Sequence, residues 1–190
     1  MQKLLSQIKQ CTVCIPHLDL GANPVVSVHK NSKIIIIGQA PGTKVHKSGI
    51  PWDDASGKQL RTWLHVTDKD FYDVEKFAIV PMGFCYPGKG TSGDKPPRKE
   101  CAPLWHQQLF DHMPNVELVI LIGKYAQNYY LKDRVKKTLT ETVDNYPIYL
   151  PTYFVLPHPS PRNRFWLTKN PWFENDVLPV LKKRITQIIS

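Results

Sequence analysis

Lys33-Ile34-Ile35-Ile36-Ile37-Gly38-Gln39-Ala40-Pro41-Gly42 is an unbroken run of isoleucine that ends on a loop of glycine and proline. A strand with one wet face alternates apolar and polar residues. A run apolar at every position belongs to a strand covered on both faces, as in a parallel sheet layered between helices. Gly38 stops the strand, and Pro41 and Gly42 shape the turn that follows.

Working outward, the same punctuation recurs. Phe77–Val80 reads as a second short strand, Val116–Ile122 as a third and Thr152–Leu156 as a fourth. Between them lie segments with helical spacing. Ser56–Val66 carries Leu60, Trp63 and Leu64, with Ser56 as its expected cap. Lys99–His112 carries Leu104, Trp105, Leu109 and Phe110, and a further helix is expected over Lys124–Leu131. An amphipathic helix from Pro171 onward presents Val177, Leu178, Leu181, Ile185 and Ile188. Strands alternating with helices predict an α/β fold: a three-layer α/β/α sandwich around a central, mainly four-stranded parallel sheet. One domain over residues 1–190 accounts for the whole length.

In such folds ligands sit outside the carboxyl ends of the strands. The unusual loops fall there: Gly38–Gly42 after the first strand, Pro81-Met82-Gly83-Phe84-Cys85 after the second and Pro157-His158-Pro159-Ser160-Pro161 after the fourth. Three loops converging on one crevice predict a site. Two prolines fix the backbone around His158, which suits a group held in place for chemistry.

Composition narrows the partners. A net charge of +9 favours a polyanion such as nucleic acid. No stretch approaches the roughly 20 apolar residues of a membrane span, and no signal-peptide pattern opens the chain. A cytoplasmic protein without membrane association is expected. The four cysteines, Cys11-x2-Cys14 and Cys85-x15-Cys101, read as metal ligands brought together by folding. A disulfide framework fits poorly, since a chain of this size can bury a core without bridges. Spacing alone barely separates a four-cysteine zinc site from an iron–sulfur cluster.

Taken together, Gly38-Gln39-Ala40-Pro41-Gly42, Gly49-Ile50-Pro51-Trp52, the cysteine spacing and His158-Pro159-Ser160 resemble the uracil-DNA glycosylase superfamily, closest to its iron–sulfur class, family 4. The resemblance runs from Cys11 to about Phe165. It implies base excision from DNA containing a damaged or deaminated base, uracil first among them, by a monomer. It implies a structural [4Fe-4S] cluster on Cys11, Cys14, Cys85 and Cys101, with zinc the second choice of occupant. It places the base against Gly38, Gln39, Ala40, Pro41, Gly42 and a stacking Trp52. It puts His158 beside the scissile bond, and Ser160, Arg162, Asn163 and Arg164 in a loop that enters the DNA minor groove.

Asp53 and Asp54 are the nearest carboxylates for orienting water or stabilising a sugar cation, with Asp54 preferred; either could instead cap the following helix. The sequence departs from the family pattern twice. Gln39 stands where family 4 has glutamate, and an amide cannot act as a base. Pro81 stands where family 4 has the asparagine that reads uracil, which shifts base recognition to backbone groups around Met82 and Gly83. Loss of activity, leaving a DNA- or damaged-base-binding module, is the competing expectation. Lys89, Lys95, Arg98 and Lys99, in the Cys85–Cys101 loop, are placed to meet phosphates.

Overall fold

A computed structural model describes residues 1–190. Its main sheet holds β1 (Ile34–Ile37), β2 (Phe77–Ile79), β5 (Leu118–Ile122) and β6 (Tyr153–Leu156), while β3 (Lys89–Gly90) and β4 (Gly93–Asp94) form a separate hairpin. The sheet order is β2-β1-β5-β6 and every pairing is parallel. Ile34 lies opposite Phe77 on one side and Leu118 on the other. The segment before β1 runs back along the free edge of β2, where Ser27 bridges Ile79, so that edge is covered.

Nine helices surround the sheet: α1 (Gln2–Lys9), α2 (Thr43–Ser48), α3 (Ala55–Leu64), α4 (Asp68–Phe71), α5 (Gln107–Asp111), α6 (Gly123–Leu131), α7 (Leu139–Asp144), α8 (Arg164–Lys169) and α9 (Leu178–Ile189). Ile34 and Ile36 face one layer, where Leu60, Trp63 and Leu64 of α3 meet Leu178, Leu181 and Ile185 of α9. Ile35 and Ile37 face the other, against Leu4 and Ile8 of α1, Leu109 of α5 and Ala126 and Leu131 of α6. This is why the opening run is apolar at every position: both faces of β1 are core. Each fully buried side chain of that size contributes about 1.5–3 kcal/mol. Truncating Trp63, which packs edge-on against Phe173 at 4.9 Å, would cost about 3–5 kcal/mol.

Two helices differ from their expected form. Ahead of α5, Ala102–His106 makes a wide π turn, and Phe173–Val177 does the same ahead of α9. In the second case Pro179 lies near the start of α9. It lacks an N–H and crowds the carbonyl four residues earlier, so the preceding turn opens. The expected Ser56 cap is also corrected: α3 starts at Ala55, and Asp54 caps it by accepting from Gly57 N at 2.8 Å. The short α2, α4, α7 and α8 and the β3–β4 hairpin carry too little periodicity to read in advance.

The chain leaves β1 toward β2 on one side and reaches β5 on the other, so the order reverses between β1 and β5. A crevice opens at such a point, beyond the carboxyl ends of the strands.

Candidate active site and cysteine chamber

The crevice is a cleft of about 440 Å³ including its open mouth, lined by Gly38 to Gly42, Trp52, Asp54, Pro81 and His158. Val25, Val45, Pro51 and Ile79 complete its apolar wall. The loop after β1 is tied to the loop after β2 by two main-chain bonds, Met82 N to Gly38 O and Gly83 N to Gln39 O, both 2.9 Å. The N–H groups of Gln39, Ala40 and Gly42 have no acceptor within the chain. They are donors available at the cleft lining.

Trp52 has a left-handed backbone, φ 58°, unusual for a bulky residue. Its surroundings hold it there. The indole lies over Gly38, where a Cβ would stand 2.8 Å from Cζ2, and its carbonyl presses on Gly57, where a Cβ would stand 1.8 Å away. Both glycines are required by close approach. Arg61 donates to the same carbonyl at 3.3 Å, and the ring faces His158 with centroids 5.8 Å apart.

His158 is held from two sides. Asn163 Nδ2 donates to the His158 carbonyl at 2.6 Å, and Gln127 Nε2, buried beneath, donates to the Leu156 carbonyl at 2.9 Å. The imidazole has no hydrogen-bond partner in the chain and lines the cleft. Burial pushes its pKa down, opposed by the Asp54 carboxylate. It is therefore neutral at pH 7 and still carries one N–H.

The expected site residues separate clearly. Gly38, Gln39, Ala40, Pro41, Gly42, Trp52, Asp54 and His158 share the cleft. Asp53 does not line it; Asp53 pairs with Lys44 at 3.3 Å on the surface. Met82 and Gly83 also lie outside the lining. Met82 is buried in the core, and the Met82 and Gly83 N–H groups are taken by the bonds to Gly38 and Gln39, so any base contact from this segment falls to its carbonyls. Pro81 lines the cleft instead. Its carbonyl accepts from His106 Nε2 at 3.1 Å, while His106 Nδ1 faces the Tyr130 hydroxyl. A carbonyl can only accept, so Nε2 carries the proton and Nδ1 accepts from Tyr130. Burial holds His106 neutral, with its pKa pushed down to about 4.

In the loop after His158, Ser160 Oγ accepts from Arg162 N at 3.2 Å, and Asn163 serves the His158 backbone. Arg162 and Arg164 are exposed without an acidic partner. The Asn163, Gln127, His106 and Arg61 contacts were missed from sequence. None of them left a signal in the sequence, because each depends on which backbone group the folded chain brings within reach.

The cysteines line one further chamber of about 340 Å³ including its mouth, walled by Ile8, Leu18, Pro24, Phe84 and Trp105. None is in a disulfide; Cys14, Cys85 and Cys101 are buried. Phe84 N donates to Cys101 Sγ at 3.5 Å, and Cys14 Sγ donates to Glu100 Oε2 at 3.8 Å. Burial pushes the Cys85 thiol up to about 11 and Cys101 up to about 12, so these two stay protonated when unligated. Ligation needs thiolates, and N–H donors aimed at sulfur are what stabilise them. No three histidine, cysteine or carboxylate side chains close on a single-ion point. All four cysteines line the one chamber, and a four-thiolate donor set suits either zinc or an iron–sulfur cluster.

The fold and cleft define an α/β protein with a site at the carboxyl edge of a parallel sheet, and comparison with known sequences places it further. The profile of the "Uracil DNA glycosylase superfamily" matches residues 26–182, and the chain belongs to that superfamily. It is 24% identical over 162 residues to a type-4 uracil-DNA glycosylase of Thermotoga maritima, covering 84% of this chain and 81% of the relative. The solution NMR structure of a candidate uracil DNA glycosylase from Methanosarcina acetivorans aligns over 83% of this chain and 94% of its own, with 16% identity and a TM-score of 0.47. No helix is long and apolar enough to cross a membrane.

Proposed function

We propose that the protein is a DNA glycosylase that flips a deaminated base, uracil first, out of DNA and hydrolyses its N-glycosidic bond. The products are the free base and an abasic site, the opening step of base excision repair. The observation that carries this reading is the meeting of Asp54, His158 and Trp52 with free loop N–H donors in one cleft. A carboxylate, a neutral N–H donor, an aromatic face and amide donors are what glycosidic cleavage of a pyrimidine calls for.

The extruded base enters the cleft beside the Gly38–Gly42 loop and stacks on the Trp52 indole. As the bond to the sugar breaks, negative charge develops on the base. The neutral His158 N–H and the free amides of Gln39, Ala40 and Gly42 donate to it. Asp54 has one oxygen fixed by Gly57. Its other oxygen stabilises the cationic sugar or takes the proton of the attacking water. Arg162 and Arg164 hold the DNA backbone. The protein acts as a monomer in the cytoplasm, a monofunctional hydrolase.

Cys11, Cys14, Cys85 and Cys101 would hold a [4Fe-4S] cluster, whose contribution when bound is structural: it staples the N-terminal segment to the 85–101 loop. A brown protein absorbing near ~400 nm supports iron–sulfur ligation over zinc. The competing reading, a binding module without cleavage, draws on Gln39 in place of a carboxylate and on the occupied Met82 and Gly83 amides. A uracil-containing oligonucleotide treated with the protein and then alkali decides between them. Strand cutting at uracil supports the enzyme, whereas tight binding without cutting supports the module.

A further inference from the structure

We propose that the β3–β4 hairpin is a second DNA-binding arm, which grips the strand backbone beside the extruded nucleotide from the lip that adjoins the His158 loop. The proposal rests on the reading that DNA is the substrate, and extends it to a surface of which Lys89 is the working cation.

The hairpin is placed at the mouth of the cleft. A Cβ on Gly42, which lines the cleft, would stand 3.6 Å from Asp94 Oδ2, and one on Gly93 would stand 3.7 Å from Arg162 Nη1. The ribbon thus spans from the loop after β1 to the loop after β6. A strand delivering a base past Arg162 must pass the hairpin tip.

The hairpin is also built to hold this position. Tyr86 donates to Asp94 Oδ1 at 3.2 Å, Lys95 pairs with Asp19 at 3.0 Å, and Lys95 N donates to Gly88 O at 2.8 Å. These contacts occupy Asp94 and Lys95 at the base. Arg98 is likewise paired, with Glu100. Lys89 is the hairpin's one cation without an acidic partner, and it is exposed.

The tip suits phosphate. In the strand register the backbone of Lys89 lies opposite that of Asp94 and Gly90 opposite Gly93, leaving Thr91 and Ser92 as a two-residue turn. Both are exposed, and their N–H groups have no acceptor within the chain. Hydroxyls, open main-chain N–H groups and one lysine are the groups that contact phosphate without reading sequence. An apolar partner has nothing to bury there.

The test measures binding of an undamaged, fluorescein-labelled single-stranded oligonucleotide by anisotropy across a sodium chloride series. Each phosphate contact contributes about 0.7 to the slope of log affinity against log salt on single strands. Lys89→Ala should lower the slope by about 0.7, a loss of about five-fold in affinity at 0.1 M salt. Lys89→Arg should restore both. Thr91→Ala/Ser92→Ala should weaken binding with the slope unchanged, because hydroxyls release no counterions. Lys30→Ala, which removes an equal charge before β1 at the opposite end of the sheet, should match wild type. A slope for Lys89→Ala equal to that of Lys30→Ala overturns the proposal, as does wild-type binding without salt dependence. No chemistry is needed in this assay, so the two readings fail separately. Unchanged slope beside wild-type base release removes only the arm. A lowered slope in a protein that releases no base keeps the arm and removes the enzyme.

Discussion

Asp54 carries a structural and a chemical burden at once, and two substitutions separate them. Its Oδ1 accepts from Gly57 N at 2.8 Å and caps α3, while the same carboxylate lines the cleft beside His158. Asparagine keeps an oxygen for the cap and is as good an N-cap residue as aspartate. Asp54→Asn should therefore melt within about 1 °C of wild type, a shift of a few tenths of a kcal/mol. Asp54→Ala loses the cap, about 1 kcal/mol, which in a chain of this size lowers Tm by about 2–4 °C. Chemistry should follow the charge instead. An oriented carboxylate acting on water contributes about 10²–10⁴-fold, or about 3–5 kcal/mol of barrier, so both variants should lose base release by at least about 10²-fold. Single-turnover release from a uracil oligonucleotide, read beside a thermal melt of the same samples, gives both quantities. Asp54→Asn releasing uracil within about three-fold of wild type would refute the chemical role and leave Asp54 a cap alone.

Other outcomes follow from the same geometry. The Asp54 charge raises the His158 pKa against burial, so in Asp54→Asn the His158 ring should titrate at lower pH by NMR; an upward move would contradict the arrangement. His106 has its folded pKa pushed down to about 4, below the unfolded value of about 6.5. Its contribution to stability is complete above about pH 6.5 and is lost as pH falls toward 4, about 3 kcal/mol in all; melts in His106→Gln should show a shallower acid limb. Gly38→Ala drives a methyl into the indole, at 2.8 Å from Cζ2, and should destabilise by about 1–3 kcal/mol while weakening base release through a displaced Trp52. Cys101→Ala should abolish the ~400 nm absorbance expected of an iron–sulfur group and expose the segment around Cys11 to proteolysis.

The four parallel strands were legible because burial on both faces leaves short apolar runs, and in Ile34–Ile37 the β-branched residues and the flanking Gly38 separate strand from buried helix. The three site loops were legible because glycine and proline cluster at strand ends for steric reasons. Asp54 was legible only as an alternative between cap and chemistry, and its geometry allows both. The bonds that tie the Met82 and Gly83 N–H groups to Gly38 and Gln39 were not legible, because sequence does not record which acceptor an N–H has found. The bond from the Asn163 amide to the His158 carbonyl left no mark either, since it depends on how the loop folds back. The β3–β4 hairpin was invisible, since two-residue strands of lysine, glycine and aspartate have no periodicity, and only its position against Gly42 and Arg162 gives it meaning.

The central claim is that this cleft breaks an N-glycosidic bond. The direct measurement is the free base itself, quantified after incubating the protein with single- and double-stranded oligonucleotides carrying uracil, hypoxanthine or xanthine, with His158→Ala alongside. Release of uracil, falling at least about 10²-fold in the variant as expected for loss of a charge-stabilising donor, is the predicted result. No free base from any substrate, in a protein that binds the same DNA, would contradict it.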